Sequence, residues 1–311
     1  MPMDKCPLFG RCGGCKYDFA SPDYQAQKLT ELRGVPTTGN PVWVSAGGRR
    51  RADFCFADGR FGFFAPRSKD VVPVTHCPGV ADEINKILPQ IASLPWNGAG
   101  SALVTLCDNG VDLAVTSGVP YFSADFKRAA AALPSDVIRV TWNGTTVWQR
   151  AAPTVTFAGT TVPYPVGAFL QPGRRGEDAL RQLVVDRAAG ATRVADLFCG
   201  LGNFTFALNA DGFDIVGTGC RRDLYKNPVT VGMLRSYDCV VMDPPRGGAM
   251  AQCRELVKSD VARIIYVSCN PATFMRDREI LERGGYRMTE LIPVDQFVGS
   301  AHWELVGVFQ K

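Results

Sequence analysis

Two patterns of hydrophobic and polar positions divide the chain. Between residues 42 and 166, short apolar runs alternate with polar positions, as in ADFCFADGRFGFF and LVTLCDNGVDLAV. A turn dipeptide, Asp58-Gly59 or Asn109-Gly110, interrupts each run, and this arrangement predicts β-hairpins. The segments ADEINKILPQIASL and SADFKRAAAAL instead have the spacing of amphipathic helices. We therefore predict a mixed α+β domain in this part of the chain.

The final part of the chain follows a different pattern. An amphipathic helix is predicted for GEDALRQLVVDRAA, and buried strands are predicted for RVADLFCG, YDCVVMD, RIIYVSC and HWELVGVF. Apolar strands separated by helices or loops are typical of a parallel α/β sheet, which binds ligands at the carboxyl ends of its strands. The predicted organisation is a first segment over 1–37 with a helix at 22–32, a central α+β domain over 38–160, and an α/β domain over 161–311.

The composition narrows the class of protein. The 311 residues are 46% hydrophobic and 21% charged, which excludes a disordered or fibrous chain. No apolar run approaches the ~18–20 residues of a membrane span, and the N-terminus has no apolar signal region. We therefore expect a soluble, cytoplasmic protein without a membrane partner. The net charge of +4 is too small to indicate nucleic-acid binding by itself, and no obligate protein partner is evident.

The chain has eleven cysteines, an odd number, but only two histidines. In a chain of this size without a secretory signal, such thiols more often serve metal binding or catalysis than disulfides. Three of them lie within ten residues, and a fourth is available in THCPG; the set is Cys6, Cys12, Cys15 and Cys77. Four thiolates suit a [4Fe-4S] cluster or zinc, and the spacing does not distinguish the two. Free thiols in a loop are the alternative.

Two predicted strands end in sequences that suit a ligand site. Asp196 lies near the end of one strand, and the turn that follows contains Gly200-x-Gly202, which lets a nucleotide or nucleoside approach the backbone. A tight strand-to-helix connection explains the same glycines. Asp243 ends the second strand, and the two prolines after it make a rigid loop that aims the carboxylate. Arg246 in this loop is suited to a phosphate or carboxylate, or is simply solvated.

A third strand ends in a cysteine. Cys269 is followed by Asn270-Pro271 and by a helix predicted to start near Thr273, so the thiol lies at the carboxyl edge of the sheet beside a helix start. A helix N-terminus favours the thiolate form, which is the form that acts as a nucleophile. A buried, inert cysteine is the alternative interpretation.

Together these motifs resemble the RNA uracil-C5 methyltransferase family, and especially its iron-sulfur members that act on 23S ribosomal RNA. They occur in the order of that family: CPLFGRCGGC at 6–15, Phe169-x-Gln171, DLFCGLGNF at 196–204, DPPR at 243–246, SCNP at 268–271 and His302-x-Glu304. The six motifs span nearly the whole chain. Cys6 lies so close to the start that the chain resembles the subgroup without an N-terminal oligonucleotide-binding barrel.

The resemblance implies a Rossmann-like S-adenosylmethionine-dependent methyltransferase domain at 161–311, apparently shortened. It also implies an RNA-binding function for the central domain at 38–160, and it implies that the segment at 1–37 holds a [4Fe-4S] cluster with Cys77. The expected substrate is RNA, most specifically 23S rRNA. The cluster, bound by Cys6, Cys12, Cys15 and Cys77, would be structural, because methyl transfer from a sulfonium requires no electron.

The resemblance also implies roles for individual residues. Cys269 adds to carbon 6 of uracil, Glu304 removes the proton from carbon 5, and Asp243 contacts the uracil edge or stabilises the enolate. The residues implied for cofactor binding are Gln171, Asp196, Phe198, Gly200, Gly202, Asn203, Asp223 and Asp243. Because a stacked uracil must leave its helix to reach a thiol, aromatic and basic residues near the site are expected to contact RNA. The run Arg49-Arg50-Arg51 is one such set, or else the solvated start of a hairpin.

The chain departs from the family after the glycine turn. Only 19 residues separate Gly217 from Tyr237, so one βα unit is missing. Thr218-Gly219 stand at the position where the family has an acidic residue that binds the ribose hydroxyls. Gly173 stands where relatives often have an asparagine. A catalytically impaired relative that serves as an RNA-binding scaffold is therefore an alternative. An amino-group methyltransferase is another, because D-P-P loops also occur in those enzymes.

Overall fold

The structure is a computed structural model that describes residues 5–311, so the first four residues of the predicted segment 1–37 lie outside it. Its helices are α1 (Tyr24–Leu29), α2 (Asp82–Ala92), α3 (Ala124–Ala131), α4 (Arg174–Ala188), α5 (Asn203–Leu208), α6 (Val231–Leu234), α7 (Met250–Leu256) and α8 (Pro271–Arg283). A 3-10 turn over Thr30–Leu32 extends α1. None of the helices in this range is long and apolar enough to cross a membrane.

The strands form two large sheets and a separate hairpin. Those up to residue 163 are β1 (Val42–Trp43), β2 (Arg51–Ala57), β3 (Arg60–Phe64), β4 (Val71–Pro73), β5 (Ala99–Leu106), β6 (Val111–Ser117), β7 (Val137–Trp142), β8 (Thr145–Gln149), β9 (Thr154–Phe157) and β10 (Thr160–Pro163). The remaining strands are β11 (Val194–Leu197), β12 (Asp211–Asp214), β13 (Cys220–Arg221), β14 (Cys239–Met242), β15 (Arg263–Ser268), β16 (Arg287–Asp295) and β17 (Glu304–Gln310).

The central sheet has the strand order β4-β3-β2-β5-β6-β7-β8. Both predicted hairpins are confirmed: β2 and β3 pair around Asp58-Gly59, and β5 and β6 pair around the turn that contains Asn109-Gly110. Asp58 and Gly59 have φ values of 52° and 73°, and two positive φ values are typical of the type I′ turn that matches strand twist. One pairing, between β6 and β7, is parallel, and α3 lies in the crossover between these strands. The two predicted helices of this region are α2 and α3, so the α+β prediction is confirmed.

The second sheet has the order β1-β16-β17-β15-β14-β11-β12-β13. Its strands pair in parallel except β17, which is antiparallel to both β15 and β16. Side chains alternate between two cores: Val240 packs with the apolar residues of α6, α7 and α8, and Val241 packs with those of α4 and α5. The predicted parallel α/β sheet is therefore covered on both faces, as its continuous apolar strands require. Val42–Trp43 of the predicted central segment 38–160 joins this second sheet, beside β16.

The N-terminal segment contacts both sheets. The amide of Gly13 donates to the carbonyl of Phe64 at the end of β3, at 2.8 Å. The amides of Lys16 and Tyr17 donate to the carbonyl of Gly299, in the loop between β16 and β17. This segment therefore connects the central sheet to a loop of the second sheet.

The helix expected after β12 is absent from the described residues, as the short sequence predicts, although a two-residue strand, β13, remains. Parallel neighbours ordinarily need a crossover of a dozen or more residues. Here β12 and β13 pair over only two residues each, and the chain between them turns at Gly217 and Gly219, whose φ values are 100° and 104°. An added Cβ would lie 1.8 Å from the carbonyl oxygen of Gly200 at the first position and 2.5 Å from that of Gly212 at the second. Only glycine fits this return path.

Two local predictions are wrong. The acidic residue at the end of the strand after the glycine turn is present as Asp214, before the Thr218-Gly219 position where it was expected, because the Asp214 carboxylate accepts hydrogen bonds from the amides of Ile215 and Val216 and turns the chain there. Helix α8 starts at Pro271 and not near Thr273, because the Asn270 side chain caps it by accepting from the amide of Ala272.

The return path of Gly217 yields a stability prediction. We expect Gly217→Ala to lower the free energy of unfolding by more than about 3 kcal/mol, because it combines positive-φ strain with overpacking against backbone. Gly285 is the matched control, since it has a φ of 93° but nothing within 4 Å of an added Cβ. Gly285→Ala should cost only about 1–2 kcal/mol. Urea unfolding followed by tryptophan fluorescence measures both, and equal losses would contradict the tight path.

Candidate active site

A single cleft of about 820 Å³ opens at the carboxyl ends of β11, β12, β14 and β15. Its walls are residues 165–172, 198–201, 214–217, 222–225 and 243–246, together with Arg49, Arg51, Asn203, Cys269, His302 and Glu304. This edge is where a parallel sheet is expected to bind its ligand. The cleft contains eight of the ten residues implied for catalysis and cofactor binding; Asp196 and Gly202 lie behind its wall.

The glycine turn forms one wall. Phe198 has a φ of 62°, which is uncommon for a bulky residue, and its half-buried ring faces that of Tyr225 at 5.6 Å between centroids. Gly200 has a φ of 52° and nothing within 4 Å of an added Cβ, so the space beside its backbone is open. At Gly202 an added Cβ would lie 2.4 Å from the Phe206 ring, so that glycine serves packing rather than ligand contact. Asn203 starts α5 and accepts a hydrogen bond from Arg181.

Asp196 is completely buried beneath this turn. Its Oδ2 accepts a hydrogen bond of 2.6 Å from the Thr205 hydroxyl, and its Oδ1 has no partner among the described residues. Burial and the nearby charge of Asp214 raise the pKa of Asp196 to about 7. The carboxyl therefore links β11 to the first turn of α5, and it supports the turn from below.

Asp214 was missed by the sequence analysis. Its Oδ2 accepts a hydrogen bond of 2.9 Å from the amide of Gly200, and its Oδ1 accepts from the two amides that follow it. The residue thus fixes the glycine turn to the end of β12 and lines the cleft. An acidic residue at the end of the strand after the turn is a usable signal, but the family pattern was aligned with Thr218-Gly219 instead of Asp214.

Asp223 and Tyr225, which follow β13, also line the cleft. The Asp223 carboxylate is half-buried and accepts from the amide of Tyr225 at 3.1 Å, which stabilises the turn after β13. Tyr225 is 49% exposed and packs against Phe198. Two rings and a carboxylate at this position are suited to a flat, polar ring such as a purine.

A chain of side-chain hydrogen bonds joins the two acidic residues of the predicted catalytic set. Gln171, which is buried, donates from Nε2 to Asp243 Oδ2 at 3.2 Å. Gln296 donates from its own Nε2 to Gln171 Oε1 at 2.8 Å and to Glu304 Oε2. Burial raises the pKa of both acids above the ordinary range, and a second charge adds to each rise: that of Asp196 at Asp243, and that of Asp243 at Glu304. Gln296 was not predicted.

The structure brings Cys269 into the same cleft as Glu304, Asp243 and the glycine turn. The thiol is half-buried at the end of β15, directly before the cap of α8. Its pKa is raised to about 11 by burial, then by the charges of Glu304 and Asp243, whereas Arg246 lowers it. The prediction that the helix start favours the thiolate is therefore wrong for the protein without ligands, because desolvation and two carboxylates outweigh that effect.

The three consecutive arginines have different environments. Arg50 is 2% exposed and forms a buried ion pair with Glu177 of α4, and its Nε donates to the carbonyl of Gln171. The prediction that the whole run contacts RNA is thus wrong for Arg50, which instead supports the Gln171 backbone. Arg49 and Arg51 line the cleft, and the Arg51 guanidinium lies 5.7 Å from the centre of the 61% exposed Phe169 ring.

The four cysteines of the predicted cluster lie near one another. The Cys15 thiol has a pKa raised to about 12 by burial and by the neighbouring thiols of Cys77, Cys12 and Cys6. All four are free, and none forms a disulfide. Within residues 5–311, no three His, Cys, Asp or Glu side chains are arranged to hold a single metal ion.

The sequence is similar to those of known RNA methyltransferases. The family model described as tRNA (Uracil-5-)-methyltransferase matches residues 227–311. A Caulobacter vibrioides protein described as an RNA methyltransferase is 35% identical over 98% of this chain and 85% of its own length. The 23S rRNA (uracil(1939)-C(5))-methyltransferase of Salmonella typhi is 28% identical over 99% of this chain and 81% of its own length.

The fold is also that of a solved methyltransferase. The tRNA (uracil-54, C5)-methyltransferase of Pyrococcus abyssi, solved in complex with S-adenosyl-L-homocysteine, superposes with a TM-score of 0.74 over 92% of this chain and 82% of its own, at 19% identity. The predicted α/β methyltransferase fold is therefore confirmed. On this fold and on the sequence identity over nearly its whole length, the chain belongs to the RNA (uracil-5-)-methyltransferase family.

Proposed function

We propose that this protein methylates carbon 5 of a uracil in RNA, with S-adenosylmethionine as the methyl donor. The observation that carries the proposal is the meeting of Cys269, Asp243 and Glu304 in one cleft beside an open glycine turn. A thiol and two carboxyl groups are the set that this chemistry requires, namely a nucleophile, a group for the pyrimidine edge and a base.

The residues around the turn fit an adenosyl sulfonium. The open space at Gly200 admits a ligand to the backbone, and Phe198, Tyr225 and Asp223 are suited to its adenine. Asp243 and Gln171, which are joined by a hydrogen bond, line the same cleft as this turn and Cys269, and they would hold the part of the cofactor next to the reacting carbon. The carboxylates of Asp214 and Asp223 also line the cleft and suit a cation. When bound, S-adenosylmethionine supplies the electrophilic methyl group that carbon 5 of the activated ring accepts.

The protein's own groups carry the remaining steps. The Cys269 thiol loses its proton to solvent, and the sulfur of the resulting thiolate forms a bond to carbon 6. The ring's electrons move onto its carbonyl oxygen as an enolate, which makes carbon 5 nucleophilic. After carbon 5 has been methylated, Glu304 removes its proton. The electrons of that C–H bond restore the double bond between carbons 5 and 6, and the C6–S bond breaks to release Cys269. The raised pKa of Glu304 makes its carboxylate a stronger base than that of an ordinary glutamate.

The mouth of the cleft is suited to RNA. Arg49, Arg51 and Arg246 line it and supply positive charge for phosphates, and the exposed Phe169 ring offers a stacking surface to a base. A uracil must leave its stack to reach Cys269, which lies half-buried in the cleft. We propose 23S rRNA as the substrate, on the basis of the Salmonella typhi relative and of the cysteine motif.

We further propose that Cys6, Cys12, Cys15 and Cys77 hold a [4Fe-4S] cluster. Four thiols that influence one another fit this group by their soft donor chemistry. The segment also contacts Gly299, so a cluster here would fix it between the two sheets.

One observation favours a second candidate, an RNA-binding scaffold. Without the missing helix, Ile215 and Val216 are 49% and 67% exposed beside the cofactor side of the cleft, and the Asp214 carboxylate is already occupied by three backbone amides. A protein that binds RNA but not the cofactor would show these features. Cofactor binding separates the two candidates.

For cofactor binding, we expect isothermal titration calorimetry to give a dissociation constant on the order of 1–100 μM for S-adenosylmethionine. Gly200→Ala should weaken it at least about tenfold, since its methyl group enters the space open to the ligand, at a cost of about 1.4 kcal/mol or more. Gly159→Ala is the matched control, because Gly159 also has a positive φ and open space but lies outside the cleft. Absence of saturable binding to the unchanged protein at millimolar cofactor would favour the scaffold.

For activity, mass spectrometric mapping of 5-methyluridine in rRNA from cells with and without the gene should reveal a uridine that is methylated only when the gene is present. Restoring the gene as Cys269→Ala should leave that uridine unmethylated. Restoring it as Glu304→Gln should reduce turnover by about 10²–10⁴-fold and leave enzyme covalently attached to RNA on denaturing gels. Full activity of Cys269→Ala would instead support the amino-group alternative, which needs no nucleophilic thiol.

For the cluster, protein purified without oxygen should contain about four iron and four sulfide per chain. Cys77→Ala should lose most of this iron, because one of four ligands is gone, whereas Cys55→Ala, a buried thiol outside the set, should keep it. One zinc per chain with no iron would identify the other metal that four thiolates accept.

A further inference from the structure

Gln296 lies behind the wall of the cleft, directly after the last residue of β16. It is 5% exposed. Because β16 and β17 pair with Val294 opposite Glu304, the hairpin brings Gln296 next to the first residue of β17. The side chain therefore reaches the carboxyl group of Glu304 from the protein side and does not line the cleft itself.

The hydrogen bonds of Gln296 fix the orientation of its amide. Both groups that it contacts, Gln171 Oε1 and Glu304 Oε2, accept hydrogen bonds from its Nε2. Gln171 is oriented in turn, since its Nε2 donates to Asp243 Oδ2. With ionised carboxylates at both ends, turning either amide around would place oxygen against oxygen. Each glutamine thus donates a hydrogen bond to one of the two acids, Gln296 to Glu304 and Gln171 to Asp243.

The backbone on either side of Gln296 is held by one buried lysine. Lys28 of α1 is inaccessible to solvent, and its Nζ donates to Asp295 Oδ1 at 2.5 Å and to the carbonyl of Phe297 at 3.1 Å. On the other face, α4 approaches at Gly176, where an added Cβ would lie 2.7 Å from Gln296 Cβ. The backbone around Gln296 is thus held from both sides.

We propose that Gln296 is a positioning residue for the base, holding Glu304 by Oε2 so that Oε1 is left to take the proton from carbon 5 of the substrate. The inference rests on the proposed function and extends it. Glu304 Oε1 is buried and has no hydrogen-bond partner among residues 5–311, although Glu304 lines the cleft. An acceptor atom kept unpaired in this way costs stability unless a bound partner uses it.

The step affected is the removal of the proton after methylation. Glu304 Oε1 gains the proton, the C–H electrons become the C5–C6 double bond, and the C6–S bond breaks so that Cys269 leaves. Without Gln296, the carboxyl group can rotate, and the substrate stays attached to Cys269 for longer. Methyl transfer precedes this step and does not use Glu304, so it should be much less affected.

Besides Gln296, four titratable or charged groups of the cleft lie on the elements around Glu304. Asp243, after β14, raises the pKa of Glu304. Cys269, after β15, and His302, in the loop before β17, share the cleft, and Arg246 faces the thiol. Removing a donor to the charged form raises the pKa of a carboxyl group, so loss of Gln296 should shift the acid limb of proton removal to higher pH.

The test is a single turnover of enzyme in excess over rRNA isolated from cells that lack the gene and labelled with [5-³H]uridine. Transfer of a ¹⁴C-methyl group reports methylation, and release of tritium reports removal of the proton. In Gln296→Met, which keeps the size of the side chain but has no amide, we expect tritium release to slow about 10- to 100-fold relative to methyl transfer. Its acid limb should move to higher pH, and covalent enzyme–RNA should persist.

Gln252→Met is the matched control, because Gln252 is another buried glutamine, whose amide bonds both backbone groups of Val229 away from the cleft. It should leave the ratio of tritium release to methylation unchanged. Both rates are read on the same active molecules, so partial unfolding of a variant does not alter their ratio.

The possible outcomes separate the two proposals. If Glu304→Gln retains covalent RNA while Gln296→Met has the ratio and pH profile of the unchanged protein, Gln296 is not a positioning residue and the proposed function stands. If Cys269→Ala still methylates, or Glu304→Gln releases tritium at the unchanged rate, the proposed function itself fails.

Discussion

The carboxyl groups of Asp243 and Glu304 are buried in the wall of the cleft, and this constraint governs the chemistry of the whole site. Burial raises the pKa of both groups, the charge of Asp243 adds to the rise at Glu304, and both carboxylates raise the pKa of Cys269. Neutral donors stabilise these groups, because the side-chain amides of Gln171 and Gln296 connect the two carboxylates without adding charge.

The scaffold that holds these groups is built from distant parts of the chain. Lys28 in the N-terminal segment anchors Asp295 in β16, although the two are far apart in sequence, and both are completely buried. Breaking such a pair leaves an uncompensated buried charge, at a cost of about 3–5 kcal/mol. Arg50 and Glu177 similarly fasten the central segment to α4 beside Gln171. The N-terminal segment, which contains three of the clustered cysteines, therefore also supports the part of β16 that lies next to the acidic groups of the site.

The shortened sheet edge shows how a domain of this fold tolerates the loss of a helix. A two-residue β13 keeps the edge of the sheet paired, and the connection from β12 passes so close to Gly200 and Gly212 that no side chain fits at Gly217 or Gly219. Asp214 holds this connection to the glycine turn through backbone amides. The two exposed side chains at Ile215 and Val216 are what remains of the surface that a helix would cover.

Much of this architecture follows from local sequence. Asp58-Gly59 determines its hairpin because two consecutive positive φ values suit few other residues, and apolar runs such as YDCVVMD determine buried strands because both of their faces must be covered. The motifs at 196–204, 243–246 and 268–271 place their chemistry at the carboxyl ends of strands, so their convergence on one edge was predictable. Glu304 could be assigned only through the resemblance to a family.

The tertiary structure alone decided the rest. Gln296 carries no motif, and its contacts with Gln171 and Glu304 exist only because the β16–β17 hairpin folds back beside α4. Arg50 has the same side chain as its neighbours Arg49 and Arg51, but it is buried, and its charge is paired with that of Glu177 from a distant part of the chain. The proton affinity of Cys269 reversed the local expectation, since a helix start acts on one residue whereas desolvation and the charges of Asp243 and Glu304 depend on the whole cleft. Sequence determines which groups stand at the ends of strands; only packing determines which of them share a low-dielectric space, and that decides their ionisation.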